Sequence, residues 1–275
     1  MPRANSRRQS VPAPVEAAGP WASEVRGLAR AGAISGILFA GLFVVALVLV
    51  RQGPGIGVPD RVYADFYTVG KGNLLVTAGL YVVPFAGIAY MWHMGATRTL
   101  VEALPGTTSE VPRWLQLASG ILFVSMLFAG TAAVAAVALL TRLSTTPLPP
   151  PDVARTLTSV GYGMVFVFGT RAAGMYMITT TTLARRRGML PKWVGVLSYL
   201  GAAFLLVNTT FHPATLLVFP GWVVLFSAVL LAKASAHSTA ASATLPAPRT
   251  APDQPTTPGS PLSPVRTAHE HDDRA

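Results

Sequence analysis

Residues 31–50 read AGAISGILFAGLFVVALVLV, twenty positions without a single charge, and that stretch decides the fold. A helix crossing a bilayer needs roughly 20 mostly apolar residues, because the hydrocarbon is about 30 Å thick and the rise is about 1.5 Å per residue. Lipid offers no partner to open backbone groups, so such a run is expected to be helical. Five further stretches read the same way: 73–93, 115–140, 159–183, 193–209 and 214–232. The predicted fold is therefore an all-α integral membrane protein, a bundle of six transmembrane helices spanning residues 31–232.

The composition of the whole chain agrees. Of its 275 residues 51% are hydrophobic and only 12% charged, where an ordinary soluble domain carries about 25% charge. The absence of cysteine excludes disulfides, thiolate nucleophiles, iron–sulfur clusters and cysteine zinc sites together.

Orientation follows from the basic residues between the spans. With the N-terminus inside, fifteen Lys and Arg fall in cytoplasmic segments, among them Arg185, Arg186, Arg187 and Lys192, and five (Arg51, Arg61, Lys71, Arg142, Arg155) fall outside. Trp21, Trp92, Trp114 and Trp193 cluster at the same cytoplasmic ends, as an aromatic belt would place them. The prediction is N-in and C-in, in a bacterial plasma membrane. The formal charge of +10 then serves anionic headgroups at the cytoplasmic face, and nucleic acid is not an expected partner.

The two ends read as tails. Residues 1–30 hold four prolines and no apolar period, and are expected to form a disordered basic cytoplasmic tail. Residues 233–275 are rich in Pro, Ala, Ser and Thr and are expected to be a second one. Ser6-Arg7-Arg8-Gln9-Ser10 resembles a twin-arginine signal only faintly, so the first span is read as a retained anchor. The end His269-Glu270-His271-Asp272-Asp273 reads as a solvated tail, and no metal site is predicted.

Between residues 50 and 73 a glycine-rich turn leads to Asp60, which suits a helix N-cap. Val62, Tyr63, Phe66 and Tyr67 then share one face. Two readings stay open: a helix lying on the outer leaflet, and a lid over an outward cavity.

Small residues recur at four-residue spacing: Gly32, Gly36 and Ala40 on the first span, Ser125, Ala129 and Ala133 on the third, and Gly169 with Ala173 and Thr170 with Gly174 on the fourth. Close backbone approach drives helix association in lipid, so these ridges are expected to glue the bundle. They equally suit a homo-oligomer or a membrane-protein partner, with the first span the best candidate. Pro84 and Pro220 each remove a backbone hydrogen bond, which predicts kinks or, alternatively, carbonyls freed for a cation.

One residue demands an account. Arg171 lies within the fourth span, where an arginine near the bilayer centre costs about 2.5–3.5 kcal/mol on insertion scales. No Asp or Glu lies in any span to pair with it. As an anion or substrate anchor it would line an outward cavity, with Asp65, Tyr67 and Asp152 of the outer loops as companions. As a structural residue it would snorkel outward or be capped by carbonyls. His93 and His212 fall at opposite faces, so a two-histidine haem is not expected, and no cofactor is implied. No serine–histidine–acid set, phosphate loop or intramembrane carboxylate pair is present, so no enzymatic activity is expected.

The stretch 177–193, MITTTTLARRRGMLPKW, has an Arg-x-Gly helix exit and a Leu-Pro-Lys-Trp re-entry, and Val218-Phe219-Pro220-Gly221-Trp222 follows later. It resembles the join between the later helices of uncharacterised multipass membrane proteins of actinobacteria. That resemblance implies a membrane address and no particular activity. Two functions remain: small-solute or ion transport or binding through a cavity at Arg171, and a non-catalytic scaffold or regulatory subunit acting through helix contacts.

Overall fold

The computed structural model describes residues 20–68, 72–103, 110–208 and 210–243, and among these there is no strand. Helix α1 is Pro20–Val50 and the short α2 is Asp60–Thr68. Helix α3 is Asn73–Ala103 and α4 is Glu110–Leu143. Helix α5 runs over residues 151–186, α6 is Lys192–Val207 and α7 is Pro213–Ala243. Four of them, α1, α3, α4 and α7, are long and apolar enough to cross a membrane. Helix α5 is also long enough, but Arg171 and its threonines dilute its apolar content. Helix α6 has 16 residues, about 24 Å at the helical rise.

Each expected span lies within or almost within one helix, but the helices are longer. Residues 20–30 belong to α1 rather than to a tail. Pro20 takes the first helical position, where its missing N–H costs nothing, and Val25 and Ala29 pack on the core. Residues 233–243 likewise continue α7, and Lys233 Nζ donates to the Gly188 carbonyl at 2.6 Å. The expected tails over 1–19 and 244–275, with the His269–Asp273 end, lie outside the described residues.

Around the bundle α1 packs on α3 and α7, α4 on α3 and α5, and α5 on α6, with α7 closing against α5 and α6. The small-residue ridge of α1 is used inside this ring. A Cβ on Gly36 would meet Ser227 Oγ of α7 at 2.5 Å and His93 Nδ1 of α3 at 2.6 Å. Gly32 faces Ala96, and Gly174 of α5 faces the Ala202 carbonyl of α6. Gly169 and Ala173 are buried as well. The α4 stripe differs: Ser125 and Ala129 are exposed.

Two helices contain a π turn, a wide turn that is rare and concentrates at functional sites. In α3 it covers Ala78–Val82, and the Val83 N–H reaches back to Ala78. It precedes Pro84, whose ring clashes with the carbonyl four residues back, so the expected kink takes the form of a widened turn. Helix α7 passes through Pro220 without a break. The second π turn, Gly163–Gly169 in α5, has no proline to announce it.

Candidate functional site

At the centre of the bundle lies an aromatic cluster drawn from five helices: Phe39, Tyr90, Phe123, Tyr176, and Phe219 with Trp222. Phe123 and Phe219 are 4.6 Å apart between ring centroids, Phe39 and Tyr90 5.1 Å, and Tyr90 and Tyr176 5.5 Å. Most meet edge-on, the arrangement the ring quadrupole favours. All six are buried. Gly120 makes the room, since a Cβ there would be 3.3 Å from both Tyr90 Oη and the Tyr176 ring.

On one side of this cluster, toward the C-terminal end of α1 and the start of α7, is a cavity of about 270 Å³. That exceeds the roughly 150 Å³ that accepts a benzene. Its walls are apolar, including Phe43, Leu127, Phe166 and Leu216, with Thr131 and Tyr162 as polar points. Val83, just past the α3 π turn, and Val165 and Phe166, within the α5 π turn, both border it. Arg51 stands exposed at the mouth and acts electrostatically on the Tyr162 hydroxyl.

On the other side the interior turns polar. His93, Thr97, Gln116, Thr180, Ser198 and Ser227 are all buried there. Gln116 Nε2 donates to Thr180 Oγ1 at 3.0 Å, and Trp222 Nε1 donates to Ser198 Oγ at 2.8 Å. His93 Nδ1 lies 2.7 Å from the Gly32 carbonyl. A carbonyl only accepts, so Nδ1 carries the proton. His93 Nε2, Thr97 Oγ1 and Ser227 Oγ have no protein partner in reach, and neither do the hydroxyls of Tyr90, Tyr176 and Thr181. An unpartnered buried polar group costs about 1–3 kcal/mol, so six at one end of one bundle form a polar region seeking partners. His93, expected at the membrane face, is instead fully enclosed, because Gly32 and Gly36 let α1 close over it. His212 is exposed at the start of α7, its Nδ1 accepting from the Ala214 N–H. It lies fifteen residues from Ser227, about 22 Å along the helix.

The residues grouped with Arg171 by sequence do not meet it. Asp152 and Arg171 share helix α5 and are nineteen residues, about 28 Å, apart. Asp152 instead accepts from Arg155 Nη1 at 3.0 Å. Arg155 Nη2 donates to Asp60 Oδ1 at 2.6 Å and to the Val58 carbonyl at 2.7 Å, and its guanidinium lies 5.0 Å over the Tyr63 ring. Hydrogen bonding to Asp60 is the main reason why the Arg155 pKa rises further. This cluster pins α2 to the start of α5, and Tyr63 and Phe66 turn the buried face of α2 against the end of α4. The α2 apolar face thus lies on protein, beside the cavity rather than over it. Tyr67 lines a separate recess with Leu148 and Pro149, where burial, then the nearby Tyr63, pushes its pKa up to about 12. Asp65 is exposed.

Arg171 lines a groove between α4 and α5 and donates from Nη1 to the Val167 carbonyl at 2.8 Å. Among the described residues no group of three His, Asp or Glu side chains could hold a metal ion. Arg155 and the cavity escaped sequence reasoning. Arg155 counted only as an outer-loop charge, though its i−3 spacing to Asp152 was a readable signal. Comparison with protein-family models, characterised proteins and solved structures finds no match to this chain.

Proposed function

We propose that the chain is a six-span, N-in and C-in protein of the bacterial plasma membrane that binds and transports a small amphiphilic anion through the axis of its bundle. The observation that carries this reading is the 270 Å³ cavity bordered by two π turns and floored by the aromatic cluster. Its apolar walls suit an apolar body, and Arg51 at the mouth suits an anionic head. Below the aromatic floor, the buried hydroxyls and His93 supply polar partners toward the other end. Three exposed tryptophans, Trp92, Trp114 and Trp193, support the orientation: alternating helices bring all three to that polar end, as a belt at the cytoplasmic interface would require.

The test is native mass spectrometry of the protein released from nanodiscs made of its host's lipids. The expected result is a defined small-molecule adduct in the wild type that is lost in Thr131→Phe, which fills the cavity, and weakened in Arg51→Gln. Bare protein, or an adduct indifferent to both changes, would overturn the reading. The scaffold alternative keeps one supporting feature, the outward-facing Ser125 and Ala129 on α4, since the α1 ridge is spent within the bundle. Ala129→Leu would then convert an oligomer to monomers.

A further inference from the structure

The groove that holds Arg171 is separate from the axial cavity and shares no lining residue with it. It has a volume of about 650 Å³ and opens on the outside of the bundle between α4 and α5. Leu115, Leu122 and Met126 form one wall, and Met164, Phe168 and Met175 the other. From Leu115 to Met126 it extends eleven residues along α4, about 16 Å, close to the roughly 15 Å of one leaflet's hydrocarbon. Methionine side chains adapt to irregular apolar shapes, and three of them line this groove.

Arg171 is the single charged residue in it. It has no carboxylate within ion-pair distance among the described residues, and the Val167 carbonyl takes one of its five N–H groups. The other four point to no protein acceptor. Depth adds to this. Arg171 is fourteen residues, about 21 Å, from Arg185 at the basic end of α5, and its reach toward Val167 lifts the guanidinium by up to about 6 Å more. In a core of roughly 30 Å the guanidinium therefore stands just beneath the far hydrocarbon edge, within reach of the phosphodiester layer.

We propose that this groove holds one acyl chain of an anionic phospholipid whose phosphate sits on the Arg171 guanidinium. The lipid belongs to the leaflet that meets the N-terminal half of α5, the outer leaflet in the orientation above. The planar fork of arginine binds a phosphate through two parallel N–H bonds, and the lipid supplies the counter-charge that the spans lack. Below the phosphate, the chain runs between Leu122 and Met175 toward the midplane. The inference rests on the membrane reading but not on the axial cavity.

The decisive measurement is lipid retention by native mass spectrometry after reconstitution in nanodiscs of equimolar phosphatidylglycerol and phosphatidylcholine. The wild type is expected to retain phosphatidylglycerol over phosphatidylcholine by about tenfold or more, the scale of one charge-assisted pair. Arg171→Gln should bring that ratio near one, and Arg171→Lys should keep part of it. Ala118→Phe, a change at an exposed position in the groove, should displace the retained lipid with Arg171 intact. No preference in the wild type, a preference that survives Arg171→Gln, or full retention in Ala118→Phe would each overturn the proposal. If Arg171→Gln does not fold, Ala118→Phe alone decides. Thr131→Phe should leave retention unchanged, which separates this outcome from any failure of the axial reading. Failure to enter nanodiscs at all would point instead at the membrane reading.

Discussion

The two ends of the bundle are built on opposite plans. Toward the basic end, α1, α3 and α7 touch backbone to backbone through Gly32 and Gly36, and polar side chains are sealed in the contact. Toward the other end, the helices splay around a cavity, two of them loosen into π turns, and charged groups lie outside on α2 and α5. Tight packing at one end tolerates no added atom, whereas the other end has room to spare. A protein that must stay assembled and still admit a guest benefits from such a division, because interiors at crystal-like density transmit any misfit.

The largest test of this contrast is a pair of glycine substitutions on α1. Gly36→Leu places a side chain where even a Cβ meets Ser227 and His93 below 3.0 Å. Overpacking of this kind costs typically 1–3 kcal/mol and more where backbones touch. The variant should lose most of its folded yield in a fluorescence-detected gel-filtration assay. Gly41→Leu, on the same helix with nothing within 4 Å, should purify like the wild type. Equal behaviour of the two would erase the distinction between the ends.

A smaller loss is expected at the polar end from Ser198→Ala. It leaves the Trp222 N–H without its 2.8 Å partner, at a cost of about 1–3 kcal/mol. Thermal unfolding in detergent should shift down by several degrees, while Ser125→Ala, exposed on α4, should not move it. Across the bundle, Thr131→Phe should hold the unfolding temperature level or raise it, since its ring enters empty space. A drop as large as that of Ser198→Ala would mean that the cavity is not there to be filled.

Two slighter effects belong to the outer cluster. Arg155→Gln should free α2, read as faster hydrogen exchange over residues 60–68, with little change in overall unfolding. Tyr67 supplies the smallest signal. Its hydroxyl, raised to about 12 by burial, should stay protonated at pH 11, as the ultraviolet difference between wild type and Tyr67→Phe would show. The sign is that of an acid held neutral by folding: the contribution is complete below pH 10, the ordinary value, and is lost as pH climbs through 12.

Much of this architecture was legible before any coordinates. Six apolar runs fall on six long helices, because hydropathy is a local property. Gly188, the turn after α5, has the positive φ of 66° that only glycine takes without strain, and Pro191 opens α6 as expected. The ends of α1 and α7 were misjudged, since proline-rich composition averages over residues that helix contacts rescue one by one. The companions of Arg171 were wrong for a simpler reason. Nearness in the topology diagram said nothing of the 28 Å of helix that separates Asp152 from it. Neither the cavity nor the burial of His93 has any one-dimensional signature, because each arises where three helices meet.

The π turn in α5 has a consequence for inheritance. A helix advances about 100° per residue, so a wide turn that absorbs one surplus residue resets the angular phase of everything after it. Deleting a single residue from 163–169 would restore ordinary winding and swing Arg171, Gly174, Tyr176 and Thr180 together by about a quarter turn. The groove cation, the α6 contact and the aromatic centre would be lost in one step. Those three features are therefore bound to one another by a single codon's worth of chain, and none can drift in phase without the rest.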